Sequence, residues 1–513
     1  MIRAHRVEDV RAAEAAAMAA LPEGELMARA SEGLAEVAAA RLAERDGRTV
    51  VALVGPGNNG GDTLYAAGLL SEAGFACVAV LVTPAGRASV HAEALAAAEE
   101  AGVAVVVPAD DPAAAAALVG EGDLVLDGIV GIGGRPGLHD EAARMVDAID
   151  DDAWVLAVDL ASGLDPCGES GDDEAVWADE TVTFGTPKPA HLLPAGEGAT
   201  GRLTVVDIGL DLDDVPAAVE RLTYDDVALL WPVPGPADDK YSRGVLGVVA
   251  GGESYTGAAI LSVTAAAESG AGMIRYVGTP TPTGLVRAAV PEAVHGEGRV
   301  QAWLIGPGLD VSAEGEAARA QLDVARTALA SDEPVVLDAG GLDLLDPGAL
   351  PRTAPTLLTP HAGELARLLS RLDAPSGARD ATTGETPSVT RADVEGDPLG
   401  HARRLAARTG ATVLLKGSTT LVVDPDLAAP VRSQADAPAW LATAGAGDVL
   451  SGVVGTLLAS GLKPLDAGSL GALVHGVTAD RVSAGGPLRA LAVAHGIRPT
   501  VRDLLARGRS APE

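Results

Sequence analysis

At 513 residues and 48% hydrophobic content, the chain carries material for about two to four packed domains. A formal net charge of -34 sets it against nucleic acid and anionic membrane as partners, because like charge repels both. No apolar run reaches the roughly 18–20 residues of a bilayer span, residues 1–11 lack the apolar segment of a secretory signal, and the two cysteines, Cys77 and Cys167, form neither a disulfide framework nor a metal spacing, so a soluble cytoplasmic protein is expected.

Residues 7–45 predict helix, rich in alanine. Short apolar runs at 50–54, 77–82, 103–107, 124–127, 154–159, 181–184 and 203–206 alternate with helical stretches. That pattern predicts a parallel sheet covered on both faces, with ligands at the carboxyl ends of its strands. The first run leads into G-P-G-N-N-G-G-D at 55–62, ahead of a helix predicted over 63–73. Glycines let a backbone approach a ligand, and a helix start offers unpaired N–H groups to an anion.

A proline-rich stretch, W-P-V-P-G-P-A-D-D at 231–239, follows the first half. The boundary is placed near residue 220, giving domains 1–220 and 221–513. The second half restarts with strand 245–250 and a small-residue helix at 257–270. Strands follow at 273–277, 302–305, 335–338, 356–358 and 413–415, with 421–423 returning as a hairpin. Helices fill 449–458 and much of 465–505. Residues 373–400 are polar and turn-rich and predict a surface insertion, with a lid as one use.

The acidic residues are spread along the chain without forming a tail. This is the composition of a surface adapted to high salt, where screening tolerates dense charge. Lysine is scarce: Lys188, Lys240, Lys416 and Lys463 are the whole set. Lys188 and Lys416 lie within glycine-rich motifs, which makes them functional candidates.

In the first half Asn59, Asp127 and Ser162 carry oxygen ligands near strand ends, a set suited to a hard cation. Taken singly, turn capping explains each of them. Four strings occur in order: G-P-G-N-N-G-G-D (55–62), D-G-I-V-G-I-G-G-R-P-G (127–137), V-D-L-A-S-G-L (158–164) and F-G-T-P-K-P-A-H (184–191). Together they resemble the NAD(P)H-hydrate epimerase domain over most of residues 1–215. The resemblance implies a Rossmann-like three-layer α/β fold and potassium held by Asn59, Asp127 and Ser162. It places the hydrated nucleotide on Asn58, Asn59, Gly60, Gly61 and Asp62, on Gly131, Ile132, Gly133, Gly134, Arg135, Pro136 and Gly137, and against Asp159. Interconverting the R and S forms at C6 breaks and remakes a C–O bond, which requires an acid/base group. Asp159 is the leading candidate and Lys188 the second, as proton donor or phosphate contact. Thr63 departs from the family, which usually has glycine there.

In the second half Gly445, Ala446 and Gly447 open a helix at Asp448. Backbone N–H groups there suit a transferring phosphoryl group, and Asp448 is placed to accept a hydroxyl proton. Glu364 either reaches a metal through water or charges the first turn of its helix. The ordered strings K-Y-S-R-G (240–244), G-G-E-S-Y-T-G-A-A (251–259), I-G-P-G-L (305–309), T-P-H-A-G-E (359–364), L-K-G-S-T-T (415–420) and T-A-G-A-G-D-V-L-S-G (443–452) resemble the ADP-dependent NAD(P)H-hydrate dehydratase domain, a ribokinase-like α/β fold, over about 225–505. The resemblance implies substrate contacts at Ala258, Gly308, His361 and Asp448. It implies nucleotide contacts at Lys416, Gly417, Ser418, Thr419, Thr420, Gly445, Ala446 and Gly447, and magnesium. ADP would phosphorylate the S-hydrate of NADH or NADPH, and phosphate would then leave by elimination. Two departures stand out: Gly340, where the family usually has a second aspartate, and D-A-P-A-W at 436–440.

The expected protein is a bifunctional isomerase and lyase that repairs the hydrates NADHX and NADPHX with ADP, as a homo-oligomer and without nucleic acid or membrane. One rival is a ribokinase-like vitamin-precursor kinase fused to a nucleotide-sensing module. Another is a first half that only binds nucleotide.

Overall fold

The computed structural model describes residues 1–83, 89–171, 174–373 and 388–508. The chain divides into two compact units, Arg3–Val219 and Met1–Ile2 with Glu220–Glu513.

In the first unit seven parallel strands stand in the order Ala104–Val106, Ala76–Leu81, Thr49–Val54, Leu124–Gly128, Trp154–Val158, Glu180–Phe184, Arg202–Val206. Side chains alternate between the two faces of a strand. Val50, Ala52 and Val54 pack into one core with Leu34, Leu42, Leu64 and Leu70 of helices Glu25–Glu44 and Asn58–Glu72. Val51 and Leu53 pack into a second core with Val119 and Met145 of helices Pro112–Val119 and Asp140–Val146. Both faces are therefore covered, which is why these strands read as unbroken apolar runs. Chain order reverses on either side of Thr49–Val54, the place where open α/β sheets receive ligands.

Two details correct the expected elements. The helix over 7–45 is two helices, Val7–Ala20 and Glu25–Glu44, because Pro22 lacks an N–H and Gly24 adopts φ 79°. The helix expected from Thr63 starts at Asn58, so N-N-G-G-D is its first turn rather than a loop. Thr63 itself donates to the Asn59 carbonyl at 2.7 Å and is fully buried. It sits where a Cβ on Gly128 would collide with its hydroxyl, so the bulk lost at Gly128 is filled by Thr63.

Within an eleven-stranded sheet, nine strands of the second unit run in the order Val431–Gln434, Thr420–Val423, Thr412–Leu415, Thr356–Leu358, Val335–Leu337, Ala302–Ile305, Val245–Val249, Met273–Val277, Val294–His295. All are parallel except the antiparallel pairings that Thr420–Val423 makes with both of its neighbours. Leu246, Val248, Leu304, Val336, Leu357 and Leu414 share a core with Val449, Val453 and Leu457 of helix Ala446–Ala459 and with Val263 of helix Thr256–Glu268. Helix Ala446–Ala459 is thus pinned along its length, and its start is a rigid platform. Among the described residues no helix is long and apolar enough to cross a membrane.

Residues 374–387, the heart of the expected insertion and lid, lie outside the described residues. The rest of 373–400 is more regular than expected. Helix Arg391–Gly396 starts with a reciprocal Thr390–Asp393 cap, and Asp397 caps helix Pro398–Thr409.

The Gly340 departure has a steric cause in this chain. Residues Ala339–Leu344 form a 3-10 turn, and a Cβ on Gly340 would collide with the Leu309 carbonyl oxygen. Gly340→Asp is therefore expected to destabilise the second unit by about 1–3 kcal/mol, the usual cost of overpacking. Urea unfolding followed by its midpoint at unchanged slope checks this.

Candidate active sites

The four motifs of the first unit converge at the carboxyl ends of adjacent strands. Asn58, Asn59, Gly60, Gly61 and Asp62 form the first turn of the helix after Thr49–Val54. Asp127 ends the neighbouring strand, and 131–137 follow it as a loop. That loop is tied down by Gly137 N–H to the Gly163 carbonyl, 2.9 Å, and by Gly134 N–H to Gly131, 2.9 Å. From the N-terminal helix, Arg11 donates to the Ile132 carbonyl at 3.3 Å. Arg135 and Pro136 lie on the same loop.

Asp127 is completely buried. Its carboxylate accepts from the Ser162 hydroxyl at 2.6 Å and the Ser162 N–H at 2.7 Å. Burial, only partly offset by these hydrogen bonds, pushes its pKa up to about 6. Asn59 stands beside Gly131, and its buried side-chain Nδ2 has no protein partner among the described residues.

Asp159 lies just past the end of strand Trp154–Val158 with φ 65°, uncommon for a residue bearing a Cβ. Its Oδ1 pairs with the Lys188 ammonium and accepts from the Thr183 hydroxyl at 3.0 Å. Lys188, almost wholly buried, also donates to Thr183 Oγ1 at 2.9 Å and to the Phe184 carbonyl at 3.3 Å. Burial alone would raise the Asp159 pKa; the Lys188 charge and hydrogen bond outweigh it, and the net shift is downward. His191 accepts from the Lys188 N–H through Nδ1 at 3.0 Å, and burial, then Lys188, depress its pKa to about 3. The structure thus joins Asp159 to Lys188 and Asp127 to Ser162.

In the second unit a cavity of about 970 Å³ is lined by Asp338, His361, Lys416, Gly417, Ser418 and Thr420, and by Gly445, Ala446, Gly447 and Asp448. Gly445, at φ 90°, precedes helix Ala446–Ala459, so Asp448 is the third helical residue rather than the first. Lys416 donates to Asp338 at 2.8 Å and lies 3.7 Å from Glu364. A Cβ on Gly447 would stand 3.3 Å from the Lys416 ammonium, so this position brings the lysine against the helix start. Ser451 donates to the other Asp338 oxygen at 2.7 Å. Burial, then the Asp338 charge, push the Asp448 pKa up to about 7, with Lys416 opposing.

His361 caps its own helix: Nδ1 accepts from Gly363 and Glu364 N–H at 3.1 and 3.2 Å, and Glu364 returns a bond to the His361 N–H at 2.9 Å. Thr419 is buried and outside the cavity lining, unlike its neighbours. Ala258 and Gly308 abut each other, since a Cβ on Gly308 would stand 2.7 Å from that of Ala258, but neither lines the cavity.

Several contributors escaped the sequence reading. Glu14 is one glutamate in an alanine-rich helix, with no local signal. Thr183 lies in the strand run 181–184 and His191 ends the string 184–191, neither with a role read from the sequence. Asp338 ended a strand, and its two side-chain partners, Lys416 and Ser451, lie far along the chain. His475, buried beside the cavity with its pKa lowered to about 4 by burial, then by Lys416, lies in the helix expected over 465–505 but outside every motif.

Comparison with known proteins matches residues 246–492 to the family described as NAD(P)H-hydrate dehydratase and residues 23–190 to that described as YjeF-related protein N-terminus. The chain is 42% identical to the bifunctional NAD(P)H-hydrate repair enzyme Nnr of Mycobacterium tuberculosis, over 89% of each chain. It is 42% identical to that of Mycobacterium leprae over 92% of each, and 29% identical to that of Escherichia coli over 93% of this chain and 89% of that one. A crystal structure of ADP/ATP-dependent NAD(P)H-hydrate dehydratase from Bacillus subtilis, co-crystallised with ATP and Mg²⁺, is 25% identical with a TM-score of 0.45, covering 58% of this chain and 99% of its own. The vitamin-kinase rival is not favoured, because the relatives match both halves together under one bifunctional name. The chain belongs to the family of bifunctional NAD(P)H-hydrate repair enzymes.

Proposed function

We propose that residues 1–220 interconvert the R and S forms of the NADH and NADPH hydrates at C6. Residues 221–513 then dehydrate the S form with ADP, giving NAD(P)H, AMP and phosphate. The observation that carries this reading is one arrangement found twice: a carboxylate–lysine ion pair just past strand ends, beside a glycine-rich helix start. Asp159 and Lys188 form it in the first half, Asp338 and Lys416 in the second, where Asp448 lies in the first turn of that helix.

In the second half Asp448 accepts the proton of the C6 hydroxyl as its oxygen attacks the terminal phosphorus of ADP. The N–H groups of Gly445, Ala446 and Gly447 face the charge that builds on the phosphoryl oxygens, and Lys416 neutralises the phosphates. Phosphate is a far better leaving group than hydroxide, so it departs with the C6–O electron pair, and loss of a C5 proton to solvent restores the 5,6 double bond. Lys416 already engages Asp338 and Glu364, and among the described residues no three His, Cys, Asp or Glu are grouped to hold a metal. Magnesium would therefore enter on the nucleotide phosphates.

In the first half the residues fit potassium. Asp127 is a buried carboxylate whose hydrogen bonds come from neutral donors, and Asn59 offers a side-chain carbonyl oxygen beside Gly131. One carboxylate with neutral oxygens suits a monovalent ion, which would supply Asp127 with its counter-charge. Exchange into a choline salt is expected to slow epimerisation and leave this residue set less stable to heat. Asp127→Ala should abolish the potassium dependence.

The same proposal includes a cytoplasmic homo-oligomer, which sedimentation equilibrium tests. The function itself is tested by incubating the purified chain with mixed R and S hydrates. With ADP, magnesium and potassium, recovery of the reduced nicotinamide band should exceed the S fraction. Accumulation of a phosphorylated product without that recovery would contradict the reading.

A further inference from the structure

Inversion at C6 has a requirement that Asp159 alone does not meet. When the C6–O bond breaks, the electron pair leaves with oxygen and the N1 lone pair forms a planar C6=N1 iminium. Water must then add to the opposite face. One proton goes to the departing oxygen on one face, and one is taken from the arriving water on the other.

Asp62 closes the N-N-G-G-D turn and is nine-tenths buried. Among the described residues its carboxyl has no hydrogen-bond partner, in contrast to Asp159, which is held by Lys188, Thr183 and the Phe184 N–H. A nearly buried carboxyl that no protein donor holds is free to engage a ligand. Two further carboxylates bear on it, Asp159 across the strand ends and Glu14 from helix Val7–Ala20. That helix is anchored over the nucleotide loop by the Arg11–Ile132 hydrogen bond one turn before Glu14.

We propose that Asp62 is the second acid–base group of the first-half site: it gives a proton to the hydroxyl leaving C6 on one face, while Asp159 takes a proton from water arriving on the other. This rests on the proposed epimerase function of that half. Each turnover moves one proton from Asp62 to the departing water and one from the arriving water to Asp159. The reverse reaction, or exchange with solvent, restores the starting state.

The electrostatics agree with this division. Burial, then the Asp159 and Glu14 charges, hold Asp62 well above the usual carboxylate range. Asp159 is displaced downward, its burial outweighed by Lys188, with His191 and the Phe184 N–H adding to the pull. Two carboxyl groups driven apart in this way are an acid and a base at neutral pH. Glu14, itself raised by burial and then by Asp159, is a positioning residue whose charge keeps the proton on Asp62.

The test measures R-to-S conversion by wild-type chain, Asp62→Asn and Glu14→Gln, with dehydration of pure S-hydrate by each preparation as an internal control. Asp62→Asn is expected to lose about 10²–10⁴-fold in epimerisation kcat with little change in KM and undiminished dehydration. Glu14→Gln should move the alkaline limb of the epimerisation profile to lower pH, because Asp62 then loses its proton more readily. An Asp62→Asn rate within about threefold of wild type, or a raised KM at unchanged kcat, would overturn the assignment. A wild-type chain that converts no faster than buffer would overturn the epimerase reading itself, and this assignment with it.

Discussion

Asp448→Asn is expected to lower the kcat of ADP-dependent dehydration by about 10²–10⁴-fold, the usual contribution of a general base, while R-to-S conversion continues at the wild-type rate. The substitution keeps the shape of the side chain and removes its capacity to take a proton. The helix start that would bind the phosphoryl group is left in place, because helix Ala446–Ala459 is anchored through Val449, Val453 and Leu457 rather than through Asp448. The pH dependence carries the same signature. Burial and the Asp338 charge raise the Asp448 pKa to about 7, against the pull of Lys416. A base works when deprotonated, so kcat/KM for dehydration should rise with pH through about 7 and level off above it. Lys416→Met removes the cation that opposes this rise and should move that limb to higher pH. Stopped assays of AMP formation across the pH range check both.

Asp159→Asn is the counterpart in the first half, with an expected loss of about 10²–10⁴-fold in epimerisation and none in dehydration of pure S-hydrate. Lys188→Met separates chemistry from electrostatics at the same place. It leaves Asp159 buried without a counter-charge, a change that typically costs about 3–5 kcal/mol. The sign follows from the downward shift of Asp159 in the folded protein. Its contribution to stability is present above the unfolded carboxylate value and is lost as pH falls through the folded one. Without Lys188 the Asp159 pKa should rise, so the epimerisation limb that depends on ionised Asp159 moves to higher pH. Thermal unfolding of the variant at neutral pH and its rate profile measure the two effects independently.

The elements legible in the sequence are those whose burial leaves a mark on composition. Strands such as Thr49–Val54 and Leu124–Gly128 are covered on both faces and read as apolar runs. Short or polar strands left weaker traces. Val294–His295 spans two residues, and Val431–Gln434 holds Arg432, Ser433 and Gln434, buried polar residues that look like a loop. The start of helix Asn58–Glu72 was read five residues late because asparagine and glycine are poor helix formers. Tertiary packing of the glycine-rich first turn overrides that preference. The motif residues lie on shared strand ends, since the strings carried both the turn and the polar group. Glu14, Asp338 and His475 were hidden for a different reason. Their partners lie tens to more than a hundred residues away, and only the folded sheet brings the groups together.

The central claim is that two separate sites in one chain perform successive steps, one resting on Asp159 and the other on Asp448. Mixing the two dead variants tests it most directly. With mixed R and S hydrates, ADP, magnesium and potassium, Asp159→Asn alone should recover only the S fraction at an enzymatic rate, and Asp448→Asn alone should recover none. The two together should convert all of the hydrate to NAD(P)H. Recovery by the mixture no greater than that of Asp159→Asn alone would contradict the account.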